Sequence, residues 1–372
     1  MVLAFGGAIE KTVGMRGNPD PQLAMLTTLS TEDLIPADHP IRKIRVVVDA
    51  VLAELDPVFE SMYAAGGRRS VPPEALLKAT VLMAMYSIRS ERAFCERLNY
   101  DLLFKWFLDM RIDEPAFDAT TFTKNRKRLL EAEVADKFFA AVVHQAKLRR
   151  YVSSDHFSVD GTLLNAWASH KSFKPKDGPP SEPPAGRNAE VQWHGQKRSN
   201  DTHASTTDPE ARLYRKGRGK EAKLCFMGHL LMENRHGLLV DGRISEAGGT
   251  AERDLAQVML ADLPGRHRIT VGGDKGFDTA GFVAALQKLN ATPHVAQNTS
   301  NRCSAIGRPD HPPSRLCREP ADPQADRGRV RLDQGNRPAA ACPASRQAAG
   351  RLAVHAPAAA YNLIRLPKLL AA

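Results

Sequence analysis

Two aspartates stand where a carboxylate can hold a divalent cation. Asp160 sits inside the run Phe157-Ser158-Val159-Asp160-Gly161, and Asp274 closes Ile269-Thr270-Val271-Gly272-Gly273. An acid flanked by strand-forming apolar residues carries a desolvation cost unless something offsets it, and a metal ion would. Carboxylates at strand ends of an α/β sheet lie where ligands gather. Two divalent ions about 3.5–4 Å apart can activate a water or a 3′-hydroxyl and neutralise a leaving oxygen at a phosphodiester. Hard oxygen donors suit Mg²⁺, or Mn²⁺ in its place. Such a centre needs about three convergent carboxylates. Taken singly, each aspartate reads at least as well as an acid at a strand edge or turn. Asp278, four residues after Asp274, reads as a helix N-cap.

The elements that must position these groups follow from periodicity. Residues 1–38 carry Gly and Pro punctuation and read as a flexible segment. From Pro40, Ile41, Ile44, Val47, Val48, Val51 and Leu52 recur at helical spacing. Pro72-Pro73 opens a second helix. A third is expected over Glu91–Phe107. A fourth begins near Asp118–Thr121, and a fifth spans about 132–148 before Arg149-Arg150. An all-helical N-terminal domain over 39–150 results. At Tyr151 the character changes. Residues 156–166 read as a strand, and 168–222 as a basic, Pro/Gly-rich insertion or mobile loop. A hairpin over Leu224–Ile244 follows. Then come a helix over Thr250–Leu263 with Thr250 as cap, a strand at Arg268–Gly273, a helix at Asp278–Leu289 and a short strand at Pro293–Gln297. The order β, hairpin, α, β, α, β is an α/β plan, a mixed sheet with flanking helices.

Composition narrows the partners. The 372 residues carry a net charge of +10, which reads as readily as a merely basic soluble protein as it does as a binder of polyanions, chiefly nucleic acid or an anionic membrane surface. Lys124, Arg126, Lys127 and Arg128 form a basic helix edge that reads equally as DNA-facing or as a solvated face. The basic stretch Arg212–Lys223, with Tyr214 inside it, reads more readily as a loop than as a phosphate track. Trp106 and Trp167 read as core. No apolar run approaches the ~20 residues of a spanning helix, so no membrane partner is expected. The five cysteines form no CxxC pair, which fits free thiols and a cytoplasmic location.

The quoted runs resemble a known family. Phe157-Ser158-Val159-Asp160-Gly161-Thr162-Leu163-Leu164-Asn165-Ala166 and its continuation to Phe173 resemble the first-aspartate motif of DDE transposases of the insertion-sequence-5 type. Gly272-Gly273-Asp274-Lys275-Gly276-Phe277-Asp278 resembles their second-aspartate motif. Asp38-His39-Pro40-Ile41-Arg42 and Tyr86-Ser87-Ile88-Arg89-Ser90-Glu91-Arg92 resemble the helical part before it. Met15-Arg16-Gly17 resembles the family's usual start, which would make residues 1–14 an upstream extension. The resemblance implies an RNase H-like catalytic domain over 151–306 and helices that bind the element's terminal inverted repeats. It further implies target DNA as second substrate, a homo-oligomer on DNA, and metal-dependent cleavage and strand transfer with Asp160 and Asp274 as catalytic metal ligands.

The family's third acid should follow in a helix, with an arginine four residues before it and a lysine seven after. No such pattern stands in this frame. Glu319 is the last glutamate, and Pro320 after it argues against a helix interior. A one-nucleotide frame shift allows the codons of Leu316 to Arg327 to encode Tyr-Ala-Val-Ser-Gln-Arg-Ile-Arg-Lys-Arg-Ile-Glu, and those onward to Asn336 Gly-Ala-Phe-Gly-Trp-Ile-Lys-Ala-Thr. That hidden text resembles the missing helix. Residues 307–357 are therefore expected to be frameshifted and poorly ordered, with 358–372 a remnant of the C-terminal helix. On this reading the chain is a transposase made inactive by loss of its third acid. The alternative is a catalytically dead DNA-binding inhibitor of transposition.

Overall fold

A computed structural model describes residues 30–297, 304–305 and 344–370, apart from 65, 68–69, 132, 167, 177–197, 216, 218 and 266. Seven helices come first. α1 (Thr31–Leu34) opens on a capping box in which Ser30 and Asp33 satisfy each other's backbone N–H. α2 (Pro40–Ser61) starts on proline and buries Ile41, Ile44, Val47, Val48, Val51, Leu52, Leu55 and Phe59, the face its periodicity predicts. α3 (Pro73–Met85) begins at the expected prolines. The single helix expected over 91–107 is two, α4 (Glu91–Leu98) and α5 (Leu102–Phe107). The Asp101 carboxylate breaks it by accepting the Phe104 N–H at 3.1 Å, the geometry of a new N-cap. α6 (Thr120–Glu131) and α7 (Val134–Leu148) complete the set.

The sheet is mixed. β1 (His156–Asn165) lies in its middle. β5 (Lys223–Glu233) runs antiparallel beside it, and β6 (Leu238–Glu246) is the other half of that hairpin. On the opposite side β7 (Ile269–Gly273) and β8 (Ala291–Val295) run parallel to β1, joined through α9 (Ala280–Lys288). α8 (Ala251–Ala261) links β6 to β7. Thr250 stands at the N-cap position of α8, but its side chain makes no capping bond. The described parts of the 168–222 segment carry more regular structure than their composition suggests. β2 (Phe173–Pro175) pairs with β3 (His203–Ser205), and β4 (Arg212–Tyr214) adds to the β5 edge. Short pairings of this kind leave little periodicity to read.

The last helix overturns an expectation. α10 runs Ala344–Leu370, so residues 344–357, expected to lack regular structure, are helical. Residues 307–343 of that stretch lie outside the described part. Val354 is fully buried. It fits because Gly228 and Gly242 carry no side chain: a Cβ at either would meet Val354 methyls at 3.2 and 3.0 Å. Asn362 reads the edge of β6, donating to the Leu239 carbonyl at 2.7 Å and accepting the Leu239 N–H at 2.9 Å. His355 bridges two layers, with Nδ1 against the Asp136 carboxylate of α7 and Nε2 against the Gly242 carbonyl. The expectation rested on the shifted reading frame. Alanine supports a helix, and packing against a prepared surface supplies the rest.

The seven helices do not close a core of their own. Their apolar residues form one cluster with Leu238 and Leu239 of β6 and with Ala358, Ala359, Leu363 and Leu366 of α10. A second cluster lies on the other face of the sheet, where Phe157, Val159, Val271, Met259 and Phe282 meet.

Candidate active site

The strand pairing sets the segment that carries Asp160 beside the one that leads to Asp274. β1 and β7 align His156 with Thr270, Phe157 with Val271 and Ser158 with Gly272. Asp160 and Asp274 each stand two residues beyond the last of these pairs. The same register carried two residues further would set them opposite one another, on strands about 4.8 Å apart; β7 itself ends at Gly273, and Asp274 begins a 3-10 turn. A Cβ on Gly272 would meet Ser158 Oγ at 3.0 Å, so these two positions share a face. Side chains alternate along a strand, and Asp160 shares that face. Leu164, two alternations further along β1, packs with Val354 of α10. The face bearing Asp160 is thus the one α10 crosses.

One premise of the sequence reading fails. Asp160 is exposed, so burial supplies no desolvation penalty that a metal would have to offset. Its Oδ1 accepts the N–H of Gly161 at 2.9 Å. Asp274 is exposed too, and caps the short 3-10 turn Lys275–Phe277 by accepting the Gly276 N–H at 2.8 Å. Asp278 is buried and accepts the Ala305 N–H at 2.9 Å, while Thr279 caps α9 in its place.

Residues that sequence reasoning passed over lie behind these aspartates. Glu252, in the first turn of α8, covers Gly161: a Cβ there would meet Glu252 Oε1 at 2.5 Å and Cγ at 2.7 Å. Its neighbour Arg253 donates to the carbonyls of Gly276 and Gly249, each at 3.0 Å. Gly161 and Asp160 point to opposite faces, so Glu252 approaches from the side away from Asp160. Burial, and then the Glu252 charge, push the Tyr214 hydroxyl above its ordinary range. Among the described residues, no group of three or more His, Cys, Asp or Glu is placed to hold a metal ion. No Asp or Glu stands among the described residues after Asp278, and Glu319 lies outside them.

The basic helix edge is partly described. Asp118 initiates α6, its Oδ1 accepting the Thr120 N–H at 2.7 Å. Lys124 and Arg128 are exposed, and Arg128 sits 5.2 Å over the Tyr63 ring. The side chains of Arg126 and Lys127 lie outside the described part. Trp106 is core, as expected, with Arg45 4.4 Å above its ring. Trp167 lies outside the described residues. Beneath Trp106 is a charge network that no motif announced. Lys78, 6% exposed at its side chain, bonds Asp49 at 2.7 Å and Asp109 at 2.6 Å, and Arg45 takes the other Asp109 oxygen.

Residues 29–128 match the family model described as "Transposase domain (DUF772)". That match spans α1 to α5 and α6 as far as Arg128. It supports a transposase. A solved structure of the piggyBac transposase synaptic complex with hairpin DNA is similar at 10% identity and a TM-score of 0.33, over 71% of this chain and 52% of that one. The chain thus spans about half the length of that transposase. No curated protein matches. Among the described residues no helix is long and apolar enough to cross a membrane.

Proposed function

We propose that the chain is a DNA transposase of the DDE type, of the insertion-sequence-5 kind, with an RNase H-like sheet carrying Asp160 and Asp274. The observation that carries this is the pairing of β1 with β7. It sets Ser158 beside Gly272, two residues before Asp160 within β1 and two before Asp274 just past the end of β7, in a chain whose N-terminal part matches a transposase domain. The strand order β6-β5-β1-β7-β8, with the last two parallel to β1, supports the RNase H-like assignment.

The donor chemistry suits Mg²⁺ or Mn²⁺: two exposed carboxylates, hard oxygen ligands, with solvent free to fill the remaining positions. Asp160 and Asp274 would hold the ion, which would supply electrostatic activation of the attacking oxygen. The chain's own part is to present both carboxylates from one rigid sheet and to bind DNA phosphates through the basic helix α6. DNA ends and target DNA are the proposed substrates, taken by an oligomer of this chain.

A second reading has its own support. α10 crosses the face of Asp160 without a single Asp or Glu, so the third carboxylate is not delivered from there. The chain as translated then binds its ends without cutting them, and acts as an inhibitor of an intact copy. The test uses a duplex carrying the terminal repeats that flank the gene. The full chain should retard it in preference to random duplex and leave it uncut in Mg²⁺. A version with the frame restored across 307–357 should cut it, and Asp160→Asn in that version should abolish cutting. Efficient cleavage by the chain as written would refute the inactive reading. Equal retention of random duplex would refute end recognition.

A further inference from the structure

We propose that the first turn of α8 braces the candidate site from behind, with Glu252 and Arg253 as positioning residues for Asp160 and Asp274. The inference rests on the reading of those aspartates as metal ligands. Successive residues of one helical turn reach the two aspartate-bearing segments. Glu252 lies on the backbone of Gly161, the residue whose N–H the Asp160 carboxylate accepts. Arg253 reaches the turn after Asp274. Gly276 is the shared atom set there: its N–H donates to Asp274 Oδ1 at 2.8 Å, and its carbonyl accepts Arg253 Nη1 at 3.0 Å. The other arm of the guanidinium holds the Gly249 carbonyl, so one planar fork ties the chain before α8 to the Asp274 turn.

Small residues make the contacts possible. At Gly161 a methyl would overlap the Glu252 side chain at 2.5–2.8 Å. At Gly276 it would press on Asp274 Oδ1 at 2.9 Å. Glu252 lies against Gly161, which points away from the face that Asp160 uses, and Arg253 meets the Asp274 turn at the Gly276 carbonyl. Their effect on a bound ion must therefore pass through backbone and carboxylate orientation. Partners of that kind typically change metal affinity 10–100-fold.

The test uses the full chain and Mn²⁺ alone, with free Mn²⁺ read by its paramagnetic resonance signal. Hydrogen exchange of the peptide covering 273–278 is followed in parallel. Asp160→Asn and Asp274→Asn should each lower Mn²⁺ affinity at least tenfold. Arg253→Ala should lower it about tenfold and speed exchange in the turn, with α9 unchanged. Arg253→Lys, which can still donate to one of the two carbonyls, should recover part of both. Gly276→Ala should weaken Mn²⁺ binding from the opposite side of the same carboxylate. Normal Mn²⁺ binding together with unchanged turn exchange in Arg253→Ala would overturn the brace. If the aspartate variants bind like the parent, or the parent binds no Mn²⁺, the ligand reading falls. Exchange in the turn then decides the brace on its own: faster exchange sustains it and unchanged exchange overturns it.

Discussion

Replacing Asp109 by asparagine should destabilise the protein by about 3–4 kcal/mol. The backbone at Asp109 has a φ of 59°, a left-handed conformation that asparagine tolerates, so the change leaves the turn intact. The charge is what goes. Asp109 accepts from Lys78 on one oxygen and from Arg45 on the other, and its side chain is 19% exposed. Asparagine keeps one neutral acceptor and turns an amide N–H₂ toward a cation. Hydrogen bonds to charged groups contribute about 1.5–3 kcal/mol each. Lys78 retains Asp49, which limits the loss, while removal of one partner from a buried ion pair costs about 3–5 kcal/mol. Urea unfolding should show a lower midpoint with an unchanged slope, and a melting point lower by roughly 4–5 °C. Lys78→Met in the Asp109→Asn background should restore part of the stability, since it removes the stranded cation. A loss below about 1 kcal/mol in Asp109→Asn would refute the claim that this network holds α2, α3 and the chain after α5 together.

Val354→Ala removes two buried methyls and should cost about 2 kcal/mol in the same unfolding assay; an unchanged midpoint would mean α10 is not seated on Gly228 and Gly242. Burial holds the His229 imidazole down at about 4. The unfolded chain therefore binds the extra proton between about 6.5 and 4, and stability falls as pH drops through that window, by up to roughly 3 kcal/mol. Glu233, raised chiefly by burial, works in the opposite sense, so the measurement is the difference between parent and His229→Gln across pH 4–7; parallel curves would refute it. Lys124→Ala and Arg128→Ala should each reduce the slope of log affinity for duplex DNA against log salt by about one, and unchanged slopes would remove α6 from the DNA interface.

The strands around the site were the most legible part of the sequence. Asp160 and Asp274 each end or interrupt an apolar run, and the hairpin at 224–244 has a clear turn at Arg235-His236. The pairing of β1 with β7 beside them is something that local pattern only suggests. Glu252 and Arg253 were hidden because Thr250-Ala251-Glu252-Arg253 reads as an ordinary helix start, and nothing local shows what a side chain will reach across a sheet edge. The Lys78–Asp109 contact joins positions 31 apart through a left-handed residue, which periodicity does not encode. The break at Asn99-Tyr100-Asp101 was readable from Asp101 as a cap, but the apolar spacing on both sides masked it. In α10 the signal lay in the partner, two glycines more than a hundred residues upstream, and not in the helix itself.

The placement of α10 has a consequence for how the chain is made. The helices through α7 are complete by Leu148, yet the surface that covers their apolar side begins only at Ala344. At 5–20 residues per second the ribosome takes about 10–40 s to cover that interval. For that time the nascent helices present an uncovered apolar groove, and the hairpin that forms its floor is itself unfinished for the first part. Folding of the N-terminal half is thus coupled to completion of translation. A ribosome that stalls or terminates within the interval leaves a product with exposed apolar surface, a natural substrate for chaperones and proteases.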